Sequence, residues 1–290
     1  MKNNELRIAN KEILKAWDTN AGFWDERMGK GNDFFNILEW PAILRLLDVQ
    51  AAQSILDIAT GNGLIARRLA SLGVQVTAFD FSARLIELAK TRPNPDTRIA
   101  YHVIDGTDEK ALLSLEAHAF DAALCNMALF NMAEIEPLFR TLPKILRAGA
   151  AFVFTICPPA FNNSLSVHIA EEQDQEGRIQ TVFSVKTSRY MNPYTARGVA
   201  IRDQPVVQLY FERTLQYYFN LGFANGFVLD GFEEYAFPLE QPQENPLPFG
   251  IGLAAERFGL GSALWILLAG PLALLIGLPC RGRSLLDGSE

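Results

Sequence analysis

SILDIATGNGLIARRLA, Ser54 to Ala70, is the stretch that decides the fold. An apolar run from Ile55 to Ala59, broken by Asp57, leads into Thr60-Gly61-Asn62-Gly63, and an amphipathic stretch starts near Leu64. Strand, tight loop and helix in that order make the first half of a βαβ unit. Gly61 and Gly63 let the chain turn sharply and leave no side chain between backbone and ligand. The ligand then lies at the carboxyl end of the strand, where open α/β sheets bind theirs.

The same alternation continues outward. Strands are expected at Val74–Phe79, Ile99–Ile104, Ala122–Cys125 and Ala151–Ile156. Helices are expected at Ala42–Leu47 behind Pro41, at Ala83–Lys90 behind a Ser82 cap, at Glu109–Leu115 and at Ile135–Leu146. A helix over Thr214–Ala224 and strands at Phe227–Phe232 and Phe249–Ala254 complete the pattern. The fold class is therefore α/β, a doubly wound, mostly parallel sheet of seven strands.

Five segments follow. Residues 1–40 form an N-terminal helical cap, in which Asn20–Asp33 looks too irregular to continue a long helix. Residues 41–160 are the cofactor-binding core, and 213–257 complete it. Between them, in 161–212, the pattern breaks into a charged loop (Glu171–Arg178), a strand-like Thr181–Val185 and several aromatic residues, which reads as an inserted lid. Residues 258–290 are an apolar C-terminal extension.

Of the 290 residues 49% are hydrophobic, enough for a core without disulfides. A net charge of −7 with no basic stripe argues against a nucleic-acid partner. Cys125, Cys157 and Cys280 are far apart and read as free thiols. The polar N-terminus lacks a signal-peptide core, so a cytoplasmic location is expected. No residue is assigned to a metal.

The tail from Phe258 to Cys280 carries no charge, and as a straight helix would be about 35 Å long. Gly270-Pro271 interrupts it, and Arg281 and Arg283 follow. Membrane contact, a packed or self-associating helix through 258–280, and a non-native C-terminus all stay open.

Asp57, Asp80 and Asp105 recur at the ends of three successive strands, which a parallel sheet places side by side. Asp80 suits ribose hydroxyls, Asp105 an amino group, and Asp57 water or a cationic group. Together they suit a ligand bearing ribose, adenine and positive charge. Gly61, Gly63 and Ala66 also fit the G-x-G-x-x-A dinucleotide pattern with Asp80 downstream, so an NAD(P)-dependent oxidoreductase is one alternative. Against it, Asp57 and Asp105 sit badly beside a pyrophosphate.

Five motifs, LDIATGNG (Leu56–Gly63), AFDFS (Ala78–Ser82), VIDGTD (Val103–Asp108), FDAALCNMALFNM (Phe120–Met132) and LRAGAAFVFTI (Leu146–Ile156), carry a family likeness. Over roughly Phe23 to Ala254 the chain resembles class I S-adenosylmethionine-dependent methyltransferases with a Rossmann-like core, of the small-molecule type found in ubiquinone biosynthesis. The resemblance implies that Gly61 and Gly63 approach the amino-acid part of S-adenosylmethionine, with Asp57 and Ala59 shaping that pocket. It places Asp80 on the ribose, Phe81 on the adenine face, Asp105 and Gly106 at the adenine edge, and Asn126 and Met127 beside the methyl group. Two departures stand out: Ala150 replaces a common glycine, and the run CPPAF (Cys157–Phe161) replaces an expected His-Pro and with it an obvious base.

The expected activity is methyl transfer to a small, apolar or aromatic acceptor, with S-adenosylhomocysteine as the other product. Trp24, Arg27, Tyr190, Tyr194 and Phe211 are candidates for the acceptor pocket, with Tyr210 among the lid aromatics, and His168 is the candidate base. His102 is expected to pack on its strand and His118 to lie at the surface. A non-catalytic, membrane-tethered cofactor-binding module is the further alternative.

Overall fold

The computed structural model describes residues 3–92, 98–235 and 272–277. The chain opens with α1 (Asn3–Met28), a π-helical turn (Phe34–Glu39) and α2 (Trp40–Leu47). The core follows as β1 (Ser54–Ile58), α3 (Leu64–Ser71), β2 (Gln75–Asp80), α4 (Ala83–Thr91), β3 (Ile99–Val103), α5 (Glu109–Leu112), β4 (Phe120–Asn126), α6 (Glu136–Ile145) and β5 (Leu146–Ile156). Two hairpins come next, β6 (Val167–Gln175) with β7 (Arg178–Lys186), and β8 (Tyr194–Gly198) with β9 (Gln208–Glu212). Then come α7 (Leu215–Ala224), β10 (Val228–Glu234) and β11 (Leu272–Gly277).

The sheet runs β10-β11-β5-β4-β1-β2-β3. β1 to β5 are parallel, as a Rossmann-like core requires. β11 runs antiparallel to β5, and β10 antiparallel to β11. The central parallel strands are covered on both faces, which is why β1 has buried residues at successive positions, Ile55, Leu56, Asp57 and Ile58. One face packs on an aromatic cluster of Phe139, Phe152, Phe154, Tyr218 and Phe227. The other packs on aliphatic residues, among them Ile43, Ile55, Leu69, Val76 and Val153. Helix starts follow their caps: Ser82 Oγ accepts from Leu85 N at 3.1 Å and Thr214 Oγ1 from Tyr217 N at 3.1 Å.

Four expectations are corrected. Asn20–Asp33 does not break the N-terminal helix early, because α1 runs on to Met28. Its irregular residues find tertiary partners: Asn20 pairs both ways with the Val206 backbone, and Asp25 binds Asn62 and Arg92. The charged stretch Glu171–Arg178 is not a loop but a hairpin that turns at Glu176-Gly177, both in the left-handed region. His102 is exposed on the edge strand β3 rather than packed. Within the apolar extension, Leu272–Gly277 is a strand of the sheet and not part of a straight helix. The expected strand at 249–254, and the rest of 258–290, lie outside the described residues. No helix among the described residues is long and apolar enough to cross a membrane.

Candidate functional site

A cavity of about 560 Å³ opens at the carboxyl ends of β1 to β5. Each strand delivers one part of its wall. β1 delivers Asp57, buried, whose Oδ2 accepts from Thr60 Oγ1 at 2.5 Å. β2 delivers Asp80, also buried, whose Oδ2 accepts from the Gly61 N–H at 3.0 Å and whose Oδ1 accepts from the Ser82 N–H at 2.9 Å. Asp80 therefore stitches the glycine loop of β1 to the start of α4 while still facing the cavity. β3 leads to Asp105, whose Oδ1 accepts from the Thr107 N–H and hydroxyl, both at 2.8 Å.

Burial dominates the electrostatics. It pushes the Asp57 carboxyl up to about 7 and that of Asp80 up to about 6, against the hydrogen bonds that favour their charged forms. Each also faces a neighbouring carboxylate, Asp80 for Asp57 and Asp18 for Asp80. Such groups gain from a ligand that brings hydrogen-bond donors or positive charge.

The glycine loop fits such a ligand. Gly61 has φ +57 and lines the cavity, and a Cβ there would meet nothing within 4 Å. Its space is left for something other than protein. Gly63, at φ +73, instead packs inward, where a Cβ would lie 2.5 Å from the Tyr101 hydroxyl. Two non-glycine residues adopt the left-handed region on the same edge, Ala59 (φ 55) after β1 and Met127 (φ 51) after β4. Backbone strain of this kind concentrates at functional sites. The wall thus combines hydrogen-bond-accepting carboxyl oxygens with a bare glycine, an acceptor set that suits the ribose, adenine and cationic centre of S-adenosylmethionine and opposes a pyrophosphate.

α1 closes one side. Asn10 Nδ2 donates to Thr107 Oγ1 at 3.0 Å, Asp18 Oδ1 accepts from Ser82 Oγ at 2.5 Å, and Asp25 Oδ1 accepts from Asn62 Nδ2 at 3.0 Å. One helix is therefore tied to the loops after β3, β2 and β1. Trp24 lines the cavity, edge-on to Trp17 at 5.2 Å. The β8–β9 hairpin closes another side with Gln208, Tyr210 and Phe211. Behind it, Arg213 donates to the Leu129, Met132 and Ala133 carbonyls, which fixes the loop after β4.

Among the expected site residues, Asp57, Ala59, Gly61, Asp80, Phe81, Asp105, Gly106, Asn126, Met127, Trp24, Phe211 and His168 all line this cavity. His168 stands on the exposed start of β6, with its imidazole lowered by partial burial. Gly63 supports the loop from behind. Three residues are placed elsewhere. Arg27 is exposed, 5.2 Å over the Phe23 ring. The Tyr190 hydroxyl accepts from Leu215 N at the start of α7, and the Tyr194 hydroxyl donates to Asn163. Their hydroxyls are thus engaged by α7 and by Asn163, and neither residue lines the cavity.

Sequence reasoning missed Glu39, a buried carboxyl in the wall beside Asn126 and Thr155. Its one signal was the single acid in a mostly apolar run, FFNILEWPAILRLL.

Residues 56–154 match the methyltransferase domain family. Over 143 residues the chain is 27% identical to the demethylmenaquinone methyltransferase of Tropheryma whipplei (strain Twist), covering 49% of this chain and 57% of that protein. Over 115 residues it is 30% identical to the ubiquinone biosynthesis O-methyltransferase of Xanthomonas axonopodis pv. citri (strain 306), covering 38% and 47%. The chain thus spans about half the length of these curated relatives. Its fold superposes on the crystal structure of an S-adenosylmethionine-dependent methyltransferase from Mesorhizobium loti with a TM-score of 0.60 at 23% identity, over 84% of this chain and 99% of that one. Residues 56–154 thus match a methyltransferase domain, and the chain around them has the fold of the Mesorhizobium loti methyltransferase.

Proposed function

We propose that the protein transfers the methyl group of S-adenosylmethionine to a small, apolar or aromatic acceptor, in a pocket that α1 and the β8–β9 hairpin cover as a lid. The observation that carries this reading is the convergence of Asp57, Asp80 and Asp105 with the bare Gly61 on one edge of the cavity. Asp80 and Asp105 would hold the ribose and the adenine, and Asp57 would face the charged end. The bound cofactor supplies an activated methyl group on a sulfonium, so the protein's share is alignment and exclusion of water.

Trp17, Trp24, Phe35, Phe130, Tyr210 and Phe211 supply the apolar remainder of the pocket, which supports an acceptor with a ring or hydrocarbon part. The relatives named for menaquinone and ubiquinone biosynthesis support the same class of acceptor. The test is calorimetric titration with S-adenosylhomocysteine and with NADH, followed by transfer of tritiated methyl groups into a metabolite extract. Tight binding of S-adenosylhomocysteine with labelling of a small molecule is expected. Binding of NADH alone would refute the reading.

A further inference from the structure

Glu39 is 2% exposed, lines the cavity, and has no ion pair among the described residues. A buried carboxyl without a cation is costly, and such groups persist mainly where they act. Its position is built. Glu39 ends the π-helical turn Phe34–Glu39 immediately before α2, and single π turns of this kind recur at functional sites. It faces the ends of β4 and β5, where the Thr155 hydroxyl is shared between Asn126 Oδ1 at 2.7 Å and Glu39 Oε1 at 3.3 Å. The same hydroxyl accepts from the Met127 N–H at 3.0 Å. Glu39 thus has the Asn126 side chain and the weaker share of the single Thr155 proton as neutral partners, and a carboxylate with about four acceptor sites keeps capacity for a further donor. Asn126 and Met127 line the same cavity at the end of β4, the strand paired with the Asp57 strand β1.

Resting on the methyl-transfer reading above, we propose that Glu39 is a catalytic base whose partner is the acceptor itself, and that the acceptor atom, which must hydrogen-bond to this carboxylate, is a protic oxygen or nitrogen. The acceptor's lone pair bonds to the methyl carbon, the carbon–sulfur pair stays on sulfur, and the O–H or N–H proton passes to the Glu39 carboxylate. Burial raises that carboxyl to about 8, near the pH at which a base is most effective. The other ionisable groups that sense the Glu39 charge are Cys157, after β5, and Tyr235, after β10. The Cys157 thiol is pushed up to about 12 and the Tyr235 hydroxyl well above its usual range, so neither titrates near 8.

The test compares wild-type, Glu39→Gln and Glu39→Asp protein. Three readouts are used: S-adenosylhomocysteine affinity, carbon-13 NMR titration of labelled glutamate carboxyls, and tritiated methyl transfer to an extract with the product identified by mass spectrometry. Expected are unchanged affinity in Glu39→Gln and loss of a carboxyl signal with a midpoint near 8. Transfer should fall about 100-fold in that variant, with loss of the rise between pH 7 and 9, and Glu39→Asp should retain part of the rate. Transfer by Glu39→Gln at the wild-type rate, a product methylated on carbon or sulfur, or a carboxyl midpoint below 5 would overturn the role of Glu39 and leave the methyltransferase standing. Cofactor binding without labelling of any acceptor by wild-type protein would overturn both.

Discussion

Replacing Gly63 by alanine should cost clearly more stability than replacing Gly61, although the two glycines are two residues apart in one loop. Both have positive φ, +73 and +57, so each alanine bears about 1–2 kcal/mol for the left-handed conformation. At Gly61 nothing more is added, because the new methyl meets no atom within 4 Å. At Gly63 it would lie 2.5 Å from the Tyr101 hydroxyl and 3.0 Å from two of its ring carbons, so the ring must move, at a further cost of about 1–3 kcal/mol. Gly61→Ala should therefore lose about 1–2 kcal/mol and Gly63→Ala about 2–5 kcal/mol, read from urea midpoints and melting temperatures. The Tyr101 hydroxyl is buried with no hydrogen-bond partner among the described residues, so Tyr101→Phe removes the closest obstacle at little cost of its own and should restore part of the loss in the double variant. Cofactor affinity should rank the other way. The Gly61 methyl enters the cavity and should weaken S-adenosylhomocysteine binding about tenfold, equivalent to about 1.4 kcal/mol. Equal destabilisation by the two alanines, or no recovery with Tyr101→Phe, would refute this assignment of outward and inward glycines.

Three further outcomes are expected. Burial raises Asp57 to about 7 and Asp80 to about 6 from an ordinary 3.8, so the folded state holds their protons more tightly than the unfolded chain does. Their contribution to stability is thus complete below pH 4 and is lost as pH rises towards 6–7, while cofactor affinity rises over the same interval; urea midpoints from pH 4 to 8 should show a flatter slope in Asp57→Asn than in wild type. Asp25→Ala leaves Arg92 and the Asn62 amide without their shared carboxylate and should cost about 1–2 kcal/mol, with a several-fold weaker S-adenosylhomocysteine affinity by calorimetry. Arg213→Met removes the guanidinium from the carbonyls of Leu129, Met132 and Ala133, of which only Leu129 keeps the Met132 N–H, and should lower stability by about 2–3 kcal/mol, measured by chemical denaturation.

The parallel core was legible because its signals are local. Ser54–Ala70 predicts β1, the loop and α3 to within a residue or two, since a short apolar run, two glycines and an amphipathic helix each leave their own mark. The carboxylate edge was legible for the same reason: Asp57, Asp80 and Asp105 lie in or just beyond strands whose order and direction follow from the βαβ rule. What was missed depends on contacts distant in the chain. Nothing near Asn20 announces Val206, yet that pairing helps hold α1 helical past Gly22, where a glycine costs about 1 kcal/mol in isolation. Tyr190 and Tyr194 look like pocket residues by composition, and only the hairpin packing turns their hydroxyls towards α7 and Asn163. Glu39 left only a weak signal because a π turn changes the helical period, so the usual spacing of apolar residues does not reveal which way the acid points.

The strain at Ala59 and Met127 ties these parts together. Each left-handed residue costs about 1–2 kcal/mol, and both persist because neighbouring backbone over-determines them. After Ala59, the Thr60 N–H donates to Phe79 O at 2.9 Å and the Gly63 N–H to Thr60 O at 3.0 Å, so the loop is held from both ends. Met127 N–H donates to Thr155 O at 3.1 Å and to Thr155 Oγ1 at 3.0 Å, so the end of β4 is held by β5. The anchor for both is the central strand pair β1–β4, where Ile55, Leu56, Ile58, Ala123 and Leu124 are all fully buried. A relaxed sheet end would let each chain drift outward in ordinary extended geometry. Holding two adjacent strand ends in a tight turn instead sets Gly61, the buried aspartates, Asn126 and the Thr155–Glu39 contact side by side around the cavity. The sheet interior supplies the stability, and its rim converts part of that stability into fixed positions for the groups that line the cavity.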